Sequence, residues 1–441
     1  MIVENKKWEM PVPEIFFMPF PLVPGYPSED VLGMGQKSKF RYLLTVASCC
    51  GLTGSSIGIL TNSFGVFYAS VSTSLGVGRG AIATHATLAM LSIALLSPLA
   101  AKLLQRVPLR LYLGAGVLLG AGATLLLAFS RNIWAFYVLG VIKGIGVAFF
   151  GVIPVTSIIS NWFLKCHGLA VGLALSFSGL CGAVFSPLFS FIIESAGWQA
   201  AFICMAAFSL ILALPGVFTL RLAPQEVSLP PYGGGAPVSL PPSQQKADAS
   251  KAKLYLPALA LTCGFSVLAC AITSVGQHFP TVAEAAGLSA QVGAMMVSAG
   301  MVGNIISKLI IGLLSDHKGP FFANACMIAI NGAAMAVLLR LPANAPAAVG
   351  TAFFFGAIYS VGAAGIPLLT RRVFGREQYT AAFSIVQIFA NGGSALALTI
   401  IGLVYDVTGS CDPVLIGSIV IQAANLAMLA TLYQMGRRRA A

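Results

Sequence analysis

Twelve long apolar runs leave this chain little choice of fold. They lie at about residues 43–67, 81–103, 109–129, 133–155, 168–193, 200–220, 255–279, 292–314, 321–341, 347–370, 380–405 and 413–435. About 20 apolar residues cross the hydrocarbon core of a bilayer as a helix, and every run is long enough. Composition agrees: 57% of the residues are hydrophobic and 9% are charged, against about 25% charged in a soluble domain. Gly and Ala are dense throughout, as expected where helices pack closely in lipid. The expected fold is an all-α membrane protein with twelve transmembrane helices.

The formal charge of +12 does not point to nucleic acid, because the cations sit in short loops between the runs. Loops on the cytoplasmic side of a membrane carry an excess of Lys and Arg. With a cytoplasmic N-terminus, 20 of the 25 Lys and Arg fall inside, among them Lys102, Arg106, Lys318, Arg371, Arg372 and Arg376. Three fall outside, and Lys143 and Lys308 lie within runs. The expectation is a multi-pass plasma-membrane protein, monomeric, with both termini cytoplasmic.

Residues 1–40 are Pro-rich and lack the pattern of a signal peptide; the basic stretch after Met34 reads like a natural start. Residues 221–253, rich in Pro, Gly, Ser and Gln, form the one long internal linker. The expected organisation is a tail over 1–40, a six-helix half over 41–220, the linker over 221–253, a second half over 254–436 and a basic tail over 437–441. The halves repeat at an offset of 212 residues: Arg106 and Pro108 match Lys318 and Pro320, Phe67 matches Phe279, and Gly197 matches Gly409. Two parallel repeats of this kind place a transport site between the halves, near the bilayer midplane.

Nine cysteines show no metal-ligand or redox spacing and read as small core residues. No catalytic triad, phosphate loop or dinucleotide fingerprint occurs, so an enzyme is not expected, nor a cofactor or metal. His85 and His278 fall near the ends of their runs and read as interfacial. The chemistry lies in the buried cations. A charge at the centre of a spanning helix costs roughly 2.5–3.5 kcal/mol on insertion scales and is kept where it faces a bundle interior or a watery cavity. Lys308 sits within the eighth run, with Asn304 one turn earlier on the same face. Lys143 sits in the middle of the fourth run, with Phe150 seven residues on. All 13 Asp and Glu can be placed outside the hydrocarbon core. Two cations with no buried carboxylate suit an organic anion.

Gly312-Leu-Leu-Ser-Asp316-His-Lys318-Gly319 resembles the loop signature of the major facilitator superfamily, and Ala100 to Pro108 is its first-half copy, with Arg106 kept and Leu104 at the position of Asp316. The resemblance implies two pseudo-symmetric six-helix halves and a gating role for Asp316, Lys318, Gly312 and Arg106. Asn161-Trp162-Phe163 through Gly168-Leu-Ala170-Val-Gly172, with Gly197-Trp198, is similar to the oxalate/formate exchanger and monocarboxylate porter branch. That branch implies a substrate carboxylate on the cation of the eighth helix, here Lys308. It also implies binding positions at Asn304, Asn62, Phe355, Tyr359, Phe150 and Asn391. The expected function is alternating-access transport of small organic carboxylates, by anion exchange. The alternatives are proton symport, efflux of amphipathic compounds, and a carrier-like sensor.

Overall fold

In lipid every backbone polar group must be satisfied within the protein, and the apolar runs meet that condition as helices. The computed structural model describes residues 36–77, 79–233, 255–279, 282–283, 286–340, 344–408 and 410–440. The start-like stretch at Met34, most of the linker and Gly409 lie outside the described residues. The described residues fall into two compact units, divided between Leu43 and Leu44, and the second holds the expected site residues.

The helices are α1 (Gln36–Thr53), α2 (Tyr68–Leu75), α3 (Arg79–Leu104), α4 (Leu109–Leu127), α5 (Ile133–Phe150), α6 (Val152–Trp162) and α7 (His167–Thr219). The second half holds α8 (Leu256–Thr273), α9 (Ala290–Lys318), α10 (Pro320–Leu339), α11 (Ala345–Phe355), α12 (Ala357–Ser360), α13 (Ile366–Thr408) and α14 (Asp412–Ala440). Among the described residues ten helical stretches are long and apolar enough to span a membrane. Two of these each contain two of the twelve runs, divided at Gly197 and Gly375, where φ is 86° and 73°. Large apolar side chains such as Leu111, Leu118, Phe129 and Phe191 stay exposed, as a lipid-facing surface requires. The 212-residue repeat recurs in the backbone. Pro108 and Pro320 each open a helix. The first and seventh runs each end in a 3₁₀ turn, Asn62–Phe67 and Ser274–His278, that leads to the buried pair Phe67 and Phe279.

Four runs expected as continuous helices are broken, the fourth run at Gly151 between α5 and α6, where φ is -86° and ψ is -136°. The first passes through a π-helical turn, Gly54–Ile59, before its 3₁₀ segment. Hydroxyls make this break tolerable: Thr61 Oγ1 donates to Ser56 O at 2.9 Å and Ser63 Oγ to Gly58 O at 3.0 Å. The seventh changes to 3₁₀ after Thr273, whose hydroxyl donates to Cys270 O at 2.5 Å. The tenth breaks at Gly356 and passes through a second π-helical turn, Val361–Gly365.

The halves meet along α7 and α9. Gly168 and Gly172 on α7 let that helix touch the backbone of α9 at Gly312 and Lys308, where any β-carbon would collide. This is a small-xxx-small seam of the kind that replaces apolar driving force in lipid.

Candidate carboxylate site

The seam carries Lys308 into the bundle. Its side chain is 4% exposed. Nζ donates to Leu175 O at 3.2 Å and to Ser178 Oγ at 3.1 Å, both on α7 of the other half. Ser178 Oγ in turn donates to Leu175 O at 2.7 Å. Ser178 O accepts from Asn62 Nδ2 at 3.3 Å, so the 3₁₀ break in the first span sets Asn62 beside the same turn of α7. Ser178 thus joins Lys308 and Asn62. Asn304 follows Lys308's face on α9 and is buried, with no hydrogen-bond partner on Oδ1. Among the described residues every acceptor on the ammonium is neutral, so its charge is hydrogen-bonded there with no carboxylate against it.

Lys143 makes a second nest. It is 3% exposed, with Nζ 3.9 Å from the centroid of the Phe64 ring. Phe64 stacks on His85, centroids 4.3 Å apart and planes 12° from parallel. His85 is fully buried rather than interfacial, because this stack and a bond between Nδ1 and Phe136 O at 2.6 Å hold it inside the first half. That bond requires the proton on Nδ1, since a carbonyl only accepts. The face of an aromatic ring attracts a desolvated cation by roughly 2 kcal/mol but leaves its charge uncancelled.

The remaining expected positions fall into two kinds. Phe355 packs edge-on to Phe279 at 4.8 Å and to Tyr359 at 5.7 Å, and the hydroxyl end of Tyr359 lies against Gly276. Asn391 accepts from Gln387 Nε2 at 3.3 Å on the same face of α13. Phe150 is fully buried against Gly120 of α4, a helix-packing contact.

The loop signature joins the halves at one end of the seam. Asp316 accepts from the N–H groups of Gly168 and Leu169 at 2.7 and 2.8 Å, a carboxylate on the positive end of α7. Lys318 lies over Phe322 at 4.9 Å, and Arg106 is exposed. Two partners in this closure carry no distinguishing signal in the sequence. Arg371 donates to Ser160 O and Phe163 O at 3.1 and 3.0 Å, and Arg376 Nη2 to Asn161 O at 2.9 Å. In the sequence both arginines count only as loop charge. Ser178 is one more small residue in an apolar run there and is equally silent.

This arrangement is that of a two-halved carrier. The profile of the Major Facilitator Superfamily matches residues 44–398, and the chain belongs to that superfamily. It is 23% identical over 359 residues to monocarboxylate transporter 13 of Rattus norvegicus, covering 80% of each chain. With monocarboxylate transporter 12 of Homo sapiens it shares 23% over 328 residues, 67% of this chain and 62% of the relative. The fold matches the proton:xylose symporter XylE, with a TM-score of 0.70 at 13% identity over 90% of this chain and 96% of the other. It also matches FucP in the outward conformation, with a TM-score of 0.66 at 14% identity over 90% and 99%.

Proposed function

We propose that this protein carries small organic carboxylates across the plasma membrane by alternating access, and that it works as an anion exchanger. The observation that carries the reading is Lys308: an ammonium buried at the seam between the halves, hydrogen-bonded among the described residues to neutral acceptors. Taking such a charge out of water is costly unless an anion meets it. An arriving carboxylate takes over the protons that Lys308 shares with Leu175 O and Ser178 Oγ. It thereby cancels the charge and loosens a tie between the halves in one step. Asn62 and Asn304 offer amides beside it. Lys143, held by a ring face, is a second uncompensated cation that suits the other end of a dicarboxylate. The names of the monocarboxylate transporters it resembles support a carboxylate cargo.

The inner-gate role goes to Asp316, Arg371 and Arg376, which close the end expected to face the cytoplasm. The test is uptake of labelled oxalate, formate, lactate and pyruvate into proteoliposomes, with and without a counter-anion inside. At least one should accumulate, and Lys308→Gln should abolish that uptake. Absence of uptake for all four, or full uptake by the variant, overturns the reading.

A further inference from the structure

A chain of buried amides runs from the last helix to the break in the tenth span. Asn425 Nδ2 donates to Gln422 Oε1 at 3.1 Å within α14. Gln422 Nε2 donates to Asn331 Oδ1 of α10 at 2.5 Å, and Asn331 Nδ2 donates to Phe355 O at 3.1 Å. All three amides are buried. The terminus fixes the direction of the chain. Phe355 O can only accept, so Asn331 presents its NH₂ there and its oxygen to Gln422, and the same logic orients Gln422 toward Asn425.

Phe355 O is available because the helix breaks beneath it. The N–H of Tyr359, its ordinary partner four residues on, bonds to Gly356 O at 3.2 Å instead. A buried carbonyl without a donor is costly, and Asn331 supplies the donor. The break has consequences at the site. It sets Phe355 edge-on to Tyr359 and brings Tyr359 against Gly276. It also brings the α-carbon of Gly356 against the backbone of α9 at Gly300 and Asn304, one turn from Lys308. A purely mechanical tie between α10 and α14 would not need to end on a carbonyl that this break releases.

We propose that Asn331, Gln422 and Asn425 are positioning residues for the carboxylate site. They hold the break in the tenth span open and thereby fix where Phe355, Tyr359 and the Asn304 turn of α9 stand. The inference rests on the reading of Lys308 as the carboxylate-binding group. The experiment measures the concentration dependence of carboxylate uptake in proteoliposomes, normalised to monodisperse, folded protein. Asn331→Ala and Gln422→Leu should each raise the apparent KM about three- to tenfold, the range of one misplaced hydrogen bond, with Vmax within about twofold. The double variant should match Asn331→Ala alone, because both act through one carbonyl. Where a single replacement fails to fold, the triple N331L/Q422L/N425L strands no amide and takes its place, with the same KM shift expected. An unchanged KM overturns the proposal, as do shifts that multiply in the double variant. Failure of the parent chain to transport any carboxylate, or full uptake by Lys308→Gln, sinks the carboxylate reading itself.

Discussion

Lys308 is the residue on which transport should turn. Its protons go to Leu175 O and Ser178 Oγ, and a hydrogen bond to a charged group contributes about 1.5–3 kcal/mol. Lys308→Gln should therefore cut carboxylate uptake by roughly 10- to 150-fold or more. Insertion should stay intact, because a costly buried charge leaves with the amine. Lys308→Arg keeps the charge and should retain part of the activity. Lys143→Ala separates one-point from two-point binding. Only a dianion can use both nests, so the variant should weaken inhibition of uptake by a dicarboxylate more than by a monocarboxylate. Equal loss for both returns Lys143 to a structural part beside Phe64. Both lysines are legible in the sequence because a charge inside an apolar run is costly and stands out from its neighbours. Ser178 and His85 are not. A serine is common where helices pack closely, and the burial of His85 depends on Phe64 and Phe136, whose placement only the fold decides.

At the scale of elements, the proposed latch is the N-terminus of α7. Asp316 accepts two of its free N–H groups, and loss of a capping group costs about 0.5–2 kcal/mol. Cys166, just ahead of α7 and buried, reports on this contact. Burial, and then the Asp316 carboxylate beside it, push its thiol up to about 12, so near pH 7.5 it is almost wholly unreactive. Asp316→Ala removes the neighbouring charge and opens the closure, and both changes lower the pKa. In a variant that keeps only Cys166, Asp316→Ala should speed labelling by a maleimide at pH 7.5 several-fold, and saturating substrate should change that rate. An unchanged rate argues against Asp316 as a latch. The Asp316 signature is legible in sequence, but its partner is not. Gly168 lies almost 150 residues away, and no periodicity links the two segments. The broken spans are hidden too: Gly54–Ile59 and Val361–Gly365 read as ordinary apolar helix, the first sustained by nearby hydroxyls of common type and the second by amides from α10.

The whole molecule repeats itself at 212 residues. The repeat is visible in sequence because each half solves the same packing problem, and it reappears in the matched turns before Phe67 and Phe279. The halves differ in their charges. Lys143 belongs to the first and Lys308 to the second, each buried, and their described partners are a ring, a carbonyl and a hydroxyl. Proton relays in transporters run through buried Asp, Glu or His. The sequence allows every carboxylate a place outside the core, and His85 is committed by Nδ1 to Phe136 O. The seam adds a conformational term. Lys308 spans the two halves, so reorientation must break its bonds to α7, and in the empty carrier that strands a bare ammonium as the halves part. On the proposed exchange reading, a bound carboxylate would remove this barrier in both directions. Uptake of a labelled carboxylate into proteoliposomes should therefore be fast with a loaded lumen and no pH gradient, and slow with an empty lumen under an inward proton gradient. A ratio of about tenfold between the two conditions corresponds to about 1.4 kcal/mol of barrier, less than the cost of stranding a charge at this depth. Strong accumulation driven by the gradient alone, with none by exchange, would overturn exchange in favour of proton symport, with a buried lysine, Lys143 or Lys308, as the proton carrier.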